Sequence, residues 1–115
     1  MFPRLGSNGR CHLASGDGSY VKKEIGFPVC HLGSKIQPGH ISVGDETSVD
    51  VKTTCDHGKV VCLYHTHPSG VLSPSQADIR EGFKAKVPIC IGDPKSGRIR
   101  CYRATSPSSA VDITR

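Results

Sequence analysis

The chain has 115 residues, of which 36% are hydrophobic, and it carries a formal net charge of +5. This length predicts one domain with a single, modest core. Its apolar runs are far shorter than the roughly 20 residues that a membrane-spanning helix needs. The N-terminal stretch MFPRLGSNGR has no apolar segment of signal-peptide length. We therefore expect a cytoplasmic protein with no membrane partner.

The first half of the chain predicts loops and short strands. A flexible N-terminal end is expected over about residues 1–19, which are rich in Gly and Ser. A strand is expected within residues 20–32, where Pro28 indicates an edge position or a bulge. A shorter strand follows at residues 40–43. Residues 48–55 fit either a short helix or a strand, because their apolar positions alternate.

A short apolar run from Val60 to Tyr64 predicts a buried strand. His65 and His67 come at its end. As residues i and i+2 of a strand they face the same side, with Cα atoms about 6–7 Å apart. The Pro-Ser-Gly sequence at 68–70 then turns the chain. Two imidazoles placed in this way can bind a single ion.

A helix is predicted over about residues 74–84. Ser73 is its expected N-cap, with Gln76 three residues later as the capping-box partner. Ile79 and Phe83 are four residues apart and should form the face that packs on the sheet.

Ser75 and Asp78 share another face of this helix because they are three residues apart. The helix can thus turn a carboxylate and a hydroxyl back toward the two imidazoles. Two histidines and one carboxylate, with the fourth position left to water, are the ligand set of a catalytic zinc site. We expect one Zn²⁺ per chain, held by His65, His67 and Asp78.

The last third of the chain predicts two strands and a tail. Residues 87–91 are apolar and read as a buried strand, and residues 93–97 as a hairpin loop. Residues 98–102 alternate basic and apolar side chains, which is typical of a half-exposed strand. Residues from about 104 to 115 are rich in Ser and Pro and are expected to be a flexible tail.

The site residues resemble a known motif. His65-Thr66-His67-Pro68, followed by Ser75-Gln76-Ala77-Asp78, resembles the JAMM motif H-[ST]-H-P-x(6)-S-x-x-D of the MPN (JAB) metalloprotease superfamily. The finer spelling HTHPSG…PSQAD also resembles its RadC-type branch. The resemblance implies an α+β fold like an α/β/α sandwich, with a cytidine-deaminase-like mixed sheet flanked by few helices. Residues 1–115 would form a single minimal domain of this type.

The resemblance also implies a reaction, the hydrolysis of a peptide or isopeptide bond, including the removal of a ubiquitin-like modifier. The family takes its general base from an upstream glutamate. Glu24, in a Glu-x-Gly context, matches best, and Glu46 is the second candidate. The Ser75 hydroxyl would stabilise the oxyanion, or it could instead bond to backbone at the helix start.

Other functions stay open. A RadC-like domain acting with DNA or a larger complex, a peptidase for cell-wall or toxin-associated peptides, and a non-catalytic MPN scaffold all fit the motif to some degree. Nucleic acid is a weakly supported partner, because the basic residues are scattered and not interleaved with aromatic ones. A zinc nucleoside deaminase requires H-x-E and P-C-x-x-C, which the chain lacks.

The six cysteines are expected to be reduced, because no export signal is evident. Three of them lie in apolar strand-like runs, where a free cysteine behaves as a small buried hydrophobe. An alternative structural zinc site would use four residues around the central strand: Cys55, His57, Cys62 and His65. That site would divert His65 from the one at the strand end.

Overall fold

The structure, a computed structural model, describes residues 2–5, 11–14 and 23–114, the first two ranges by their backbone alone. The described residues form a mixed α+β domain with nine strands and one helix. The elements in chain order are β1 Phe2–Leu5, β2 Cys11–Ala14, β3 Ile25–Leu32, β4 Lys35–Pro38, β5 Ser42–Val43, β6 Lys59–Thr66, α1 Gln76–Ala85, β7 Ile89–Gly92, β8 Ile99–Ser106 and β9 Ser109–Asp112. Across the described ranges, no helix is long and apolar enough to cross a membrane.

The main sheet has the strand order β4-β3-β6-β7-β8-β9, with β5 also paired to β3, while β1 and β2 form a separate antiparallel pair. Strands β6 and β7 are parallel, and the other neighbours are antiparallel. A parallel pair requires a crossover connection, and here α1 supplies it. Helix α1 therefore begins near the end of β6, which is where the two histidines lie.

Helix α1 packs on the sheet through Ile79 and Gly82, both buried. They contact the face that carries Leu63 and Ile89. The expectation that Phe83 packs on the sheet is wrong, because its side chain is 44% exposed. Gly82 takes its place: a Cβ there would lie 2.9 Å from the Ile89 side chain, so only glycine allows this close approach.

The helix also begins later than expected. Its N-cap is Ser75 rather than Ser73, and its capping-box partner is Asp78 rather than Gln76. A carboxylate at this position accepts a stronger hydrogen bond from a backbone N–H than a neutral amide does. The charge of Asp78 thus favours the later start.

Strand β3 is an interior strand, so the edge position suggested by Pro28 is wrong. Proline is tolerated because β5 pairs with β3 only at Ile25 and Gly26, and β4 only from Val29 onward. Pro28 falls in the gap between these two partners, where no N–H is needed. The alternative prediction of a bulge agrees with the pairing to β6, whose register shifts just beyond Pro28, between Val29 and Cys30.

Residues 48–55 form neither helix nor strand, although both were expected as alternatives. Their burial nevertheless alternates as in a strand: Val49, Val51 and Thr53 are half-buried, while the residues between them are exposed. We call residues 49–55 the strap. It passes over the sheet at Gly26, where an added Cβ would collide with the Val51 side chain.

The ends of the chain differ from expectation where they are described. Residues 104–112 are not a tail, because β8 continues to Ser106 and turns back into β9. Their alternating burial in β8 is that of a half-covered strand. Within the predicted flexible N-terminal end, β1 and β2 are described and the rest lies outside the described residues.

Two disulfides join Cys30 to Cys55 and Cys90 to Cys101, and Cys62 is also disulfide-bonded. The expectation of reduced cysteines is therefore wrong. Cys90 and Cys101 are direct partners on β7 and β8, with Cα atoms 4.0 Å apart. The alternative structural zinc site fails for the same reason, because a metal ligand must be a free thiolate.

Candidate metal centre

The end of β6 and the start of α1 bring two histidines and an aspartate together. His65 Nε2 lies 3.0 Å from Asp78 Oδ1, and His67 Nε2 lies 3.3 Å from Asp78 Oδ2. The two imidazole rings are 5.1 Å apart between centroids. They lie on the same side of the chain, as their spacing along a strand predicts. Each carboxylate oxygen thus faces a different imidazole.

Glu24, the residue just before β3, joins this group. Gly26 pairs with His65 in the antiparallel register, and two residues further along Glu24 comes opposite His67. Its backbone is held by a hydrogen bond from its N–H to the Asp45 carbonyl (2.7 Å). One ligand atom each from Glu24, His65 and His67 lies within 4.8 Å of the others. This group can hold a metal ion.

The other two glutamates lie farther out. Glu46 is exposed on the wall of the cleft in front of the site. Glu81 is exposed on α1, one turn beyond Asp78, and lines a second, smaller pocket. Glu24 is the glutamate that the fold buries beside the histidines, with 7% of its surface exposed.

Asp78 is fixed in place by the helix start. Its Oδ2 accepts a hydrogen bond from the Ser75 N–H at 2.7 Å, and its own N–H donates to Ser75 Oγ at 3.2 Å. The predicted backbone role of Ser75 is thus present in the structure. The hydroxyl acts there as an acceptor, so its hydrogen remains available to donate to another group. Ser75 also lines the cleft.

His67 is oriented by a backbone carbonyl. Its Nδ1 lies 2.9 Å from the Val71 carbonyl oxygen, which can only accept a hydrogen bond. Nδ1 therefore carries a proton, and in the neutral ring Nε2 presents its lone pair toward the Asp78 side. A ring N–H held by a carbonyl in this way is the usual support of a metal-binding histidine.

His65 Nε2 supplies a test of whether the site fits a metal. This atom is buried, and none of the described groups forms a hydrogen bond with it in good geometry, although Asp78 Oδ1 is 3.0 Å away. Ligands of a tetrahedral zinc at about 2.0–2.1 Å are about 3.3 Å from one another. The separations of 3.0 and 3.3 Å fit this arrangement. Two imidazoles and carboxylates are also the donor types that zinc takes.

Burial and neighbouring charges shift three pKa values in the site. Burial alone would raise the pKa of Asp78, but its contacts with the two histidines outweigh this and lower the pKa well below its usual value. Burial would lower the pKa of His67, yet Asp78 and the Val71 carbonyl together raise it. Burial raises the pKa of Glu24, with the histidines partly opposing it.

Thr66 is a site residue that the sequence reasoning missed. It lies between the two histidines on β6, faces the other side of the strand, and is 1% exposed. Its Oγ1 accepts a hydrogen bond from the Ile25 N–H at 3.0 Å. This bond ties the residue next to Glu24 to the last residue of β6, which stands between the two histidines. A polar residue at a buried strand position was the signal that could have revealed it.

A cleft of about 460 Å³ opens in front of His67. The segment 46–49 forms one wall and the segment 67–75 the other. Glu24 and Asp78 also line it, so both carboxylates of the site face the same open space. A group bound in the cleft would contact His67, Asp78 and Glu24 directly.

Comparison with known proteins does not add to this geometry: no protein-family model, no curated protein and no solved structure matches the chain.

Proposed function

We propose that this protein is a zinc-dependent hydrolase of peptide or isopeptide bonds, with a fold of the JAB/MPN type. The observation that carries the proposal is the meeting of His65, His67 and Asp78 at 3.0 and 3.3 Å, with Glu24 buried beside them. The spelling of the motif agrees with this set of residues. A non-catalytic scaffold would not need a buried glutamate at this position.

The two carboxylates have different roles in the proposal. Asp78 has a lowered pKa, so it stays ionised and is a poor base, and its capping box fixes both oxygens toward the imidazoles. These are the properties of a ligand. Glu24 has a raised pKa caused by burial, which brings it closer to the range in which a carboxylate can take up and return a proton. These are the properties of a general base.

Zinc in this site would polarise a substrate carbonyl and lower the pKa of a water molecule toward neutrality. Glu24 accepts a proton from the attacking water, and a new bond forms between the water oxygen and the carbonyl carbon. The Ser75 hydroxyl, whose oxygen is already engaged by the Asp78 N–H, donates its hydrogen to the developing oxyanion. Glu24 then transfers its proton to the leaving amine as the C–N bond breaks.

The disulfides bear on where such an enzyme would work. Disulfides form and persist in oxidising compartments and are rare in the cytosol of most organisms. Cys30–Cys55 and Cys90–Cys101 are therefore hard to reconcile with the expected cytoplasmic location. We propose an oxidising compartment instead. Mass spectrometry of the native protein after thiol alkylation, without a reductant, tests this directly: alkylation of these cysteines would contradict it.

Zinc content and peptide cleavage of three proteins test the function. The wild type, Asp78→Asn and Glu24→Gln are prepared with one equivalent of zinc, dialysed, and assayed for bound metal. Each is then incubated with a mixture of unstructured peptides and with a ubiquitin-lysine isopeptide, and the products are followed by mass spectrometry. We expect about one zinc in the wild type and in Glu24→Gln, much less in Asp78→Asn, and cleavage by the wild type alone.

Three outcomes would contradict the proposal. A wild type that takes up no zinc at neutral pH would exclude the metal centre. If Asp78→Asn bound as much zinc as the wild type while Glu24→Gln bound none, Glu24 would be the ligand and Asp78 the candidate base. Zinc uptake without cleavage of any substrate would leave a metal site and remove the hydrolase.

A further inference from the structure

A second, smaller pocket adjoins the metal centre. It has a volume of about 150 Å³ and lies between the strap and helix α1. Val49 and Asp78 line both this pocket and the larger cleft, so the two spaces meet at the site. Leu63 and Ile89 of the sheet also line it, and Glu81 lines it from the helix.

The lining of this small pocket combines apolar surface with negative charge. Leu63, Ile89 and Val51 supply the apolar part, while the exposed Asp50 and Glu81 supply carboxylates. Five of the ten acidic residues of the chain line one or both of the two spaces: Glu24, Glu46, Asp50, Asp78 and Glu81. The described residues that line the cleft and the pocket include none of the fifteen Lys and Arg residues, although the chain is basic overall. The negative charge is thus concentrated at this place.

The pocket also shares residues with the proposed metal centre. His65 lines it, is 6% exposed, and its Nε2 has no well-formed hydrogen bond to the described residues. A side chain bound in the pocket would therefore lie next to the centre that performs the reaction. His65 and Asp78 thus belong both to the lining of the pocket and to the proposed ligand set, which makes the pocket continuous with the metal centre.

We propose that the pocket binds a lysine or arginine side chain of the substrate, close to the bond that is cleaved. The long apolar stems of these residues pack on apolar surface while the charged end stays at a polar rim. The Leu63 and Ile89 surface suits the stem, and Asp50 and Glu81 suit the cation. A cavity of about 150 Å³ holds a six-carbon ring, so five heavy atoms of a lysine side chain fit. This proposal rests on the proposed function, whose substrate class it names.

Peptide binding tests the pocket without requiring cleavage. The probes are blocked pentapeptides with lysine, norleucine or glutamate at the centre and alanine elsewhere, titrated calorimetrically into the zinc-loaded full chain. Norleucine retains the apolar stem and removes the charge. We expect the lysine peptide to bind at least 10-fold more tightly than the norleucine peptide, and this preference to weaken as salt is added.

Neutralising the rim identifies the groups responsible. The double variant Asp50→Asn, Glu81→Gln should lose at least 5-fold of the lysine preference while its zinc content is unchanged. The double variant Asp56→Asn, Asp112→Asn, which removes two exposed carboxylates outside both pockets, is the charge-matched control and should retain the preference. Equal binding of the lysine and norleucine peptides, no binding of either, or an unchanged preference in the double variant would overturn the proposal.

The two proposals fail in different ways. Zinc uptake and cleavage without a lysine preference would leave the hydrolase and remove the specificity pocket. A lysine preference in binding, lost in the double variant but with no zinc uptake or cleavage, would leave the pocket and remove the hydrolase.

Discussion

Ser75 and Asp78 exchange two hydrogen bonds at the start of α1, and the Asp78 carboxylate that closes this capping box also faces both histidines. One side chain thus begins the helix and, in the proposal, supplies a ligand to the metal. Its two functions can be separated, because an amide retains an acceptor for the Ser75 N–H and loses the charge that a metal requires.

Asp78→Asn should therefore weaken zinc binding by about 100-fold or more, since loss of even an outer partner of a ligand costs 10–100-fold. Helix content should change little. Competition with a chromophoric chelator measures the affinity, and circular dichroism measures the helix. Glu81→Gln, one turn further along the same helix, is the control and should bind zinc like the wild type. Wild-type affinity in Asp78→Asn would remove this residue from the ligand set.

The stability of the metal-free protein should fall as pH rises from about 4.5 to 8. Folding raises the pKa of His67 above 6.5 and the pKa of Glu24 above 4.5. The protonated side chains therefore stabilise the fold at pH values below 6.5 and 4.5, respectively. Each contribution is lost as pH rises through the raised pKa of that residue in the folded protein. The pKa of Asp78 is lowered from 3.8, so its contribution is lost only at lower pH. Urea unfolding at a series of pH values in the presence of a chelator measures this.

Zinc should oppose this loss. A metal binds neutral histidine, so its affinity rises as His67 loses its proton. With excess zinc, stability should therefore increase over the upper part of the same range. If the free energy of unfolding of the metal-free protein rose steadily from pH 5 to 8, this would contradict the raised pKa values of His67 and Glu24.

Thr66→Val should destabilise the fold by about 1–3 kcal/mol, because the buried Ile25 N–H loses its acceptor while the side-chain volume is conserved. Thr66→Ser retains the hydroxyl and is the control. The cleavage rate of the valine variant should decrease by more than the loss of folded protein explains. The reason is that Glu24 is bonded to Ile25 and shifts when Ile25 shifts. Equal unfolding free energies for the serine and valine variants would show that this hydrogen bond contributes nothing.

The two described disulfides should differ in their effect. Opening Cys30–Cys55, which spans 25 residues, should cost about 3.5 kcal/mol, and opening Cys90–Cys101, which spans 11, about 2.8 kcal/mol, from loop-closure entropy. Paired serine substitutions and urea unfolding measure both. Loss of Cys30–Cys55 should also weaken the lysine preference, because that bond anchors the strap. An unchanged preference would show that the strap holds its place without it.

Tyr64→Phe should stabilise the protein by about 1 kcal/mol. The Tyr64 hydroxyl is fully buried and has no hydrogen-bond partner among the described residues, and burial raises its pKa. Tyr102→Phe is the matched control: its hydroxyl donates to the Leu72 carbonyl at 2.9 Å, so this change should destabilise by about the same amount. Destabilisation by both variants would indicate a partner for Tyr64 such as a buried water.

The sequence alone determined the local parts of the site. The apolar run before His65, the two-residue spacing to His67 and the three-residue spacing from Ser75 to Asp78 predict which side chains share a face, because strand and helix periods are properties of the backbone. The α+β class followed from the same periods. The predicted start of the helix was less accurate, because Ser73 and Ser75 are equally good N-cap residues by composition. The predicted packing face was also less accurate, because the packing of Gly82 rather than Phe83 on the sheet depends on how closely the helix approaches Ile89.

Only the tertiary structure decided the long-range features. The burial of Glu24 beside the histidines depends on the register of β3 against β6, which brings together residues 41 positions apart at Ile25 and Thr66. The cysteine pairing depends on which strands are neighbours, as Cys90 and Cys101 show. The small pocket exists because Gly26 lets the strap cross the sheet. None of these follows from local periodicity, because each is set by how distant segments pack against one another.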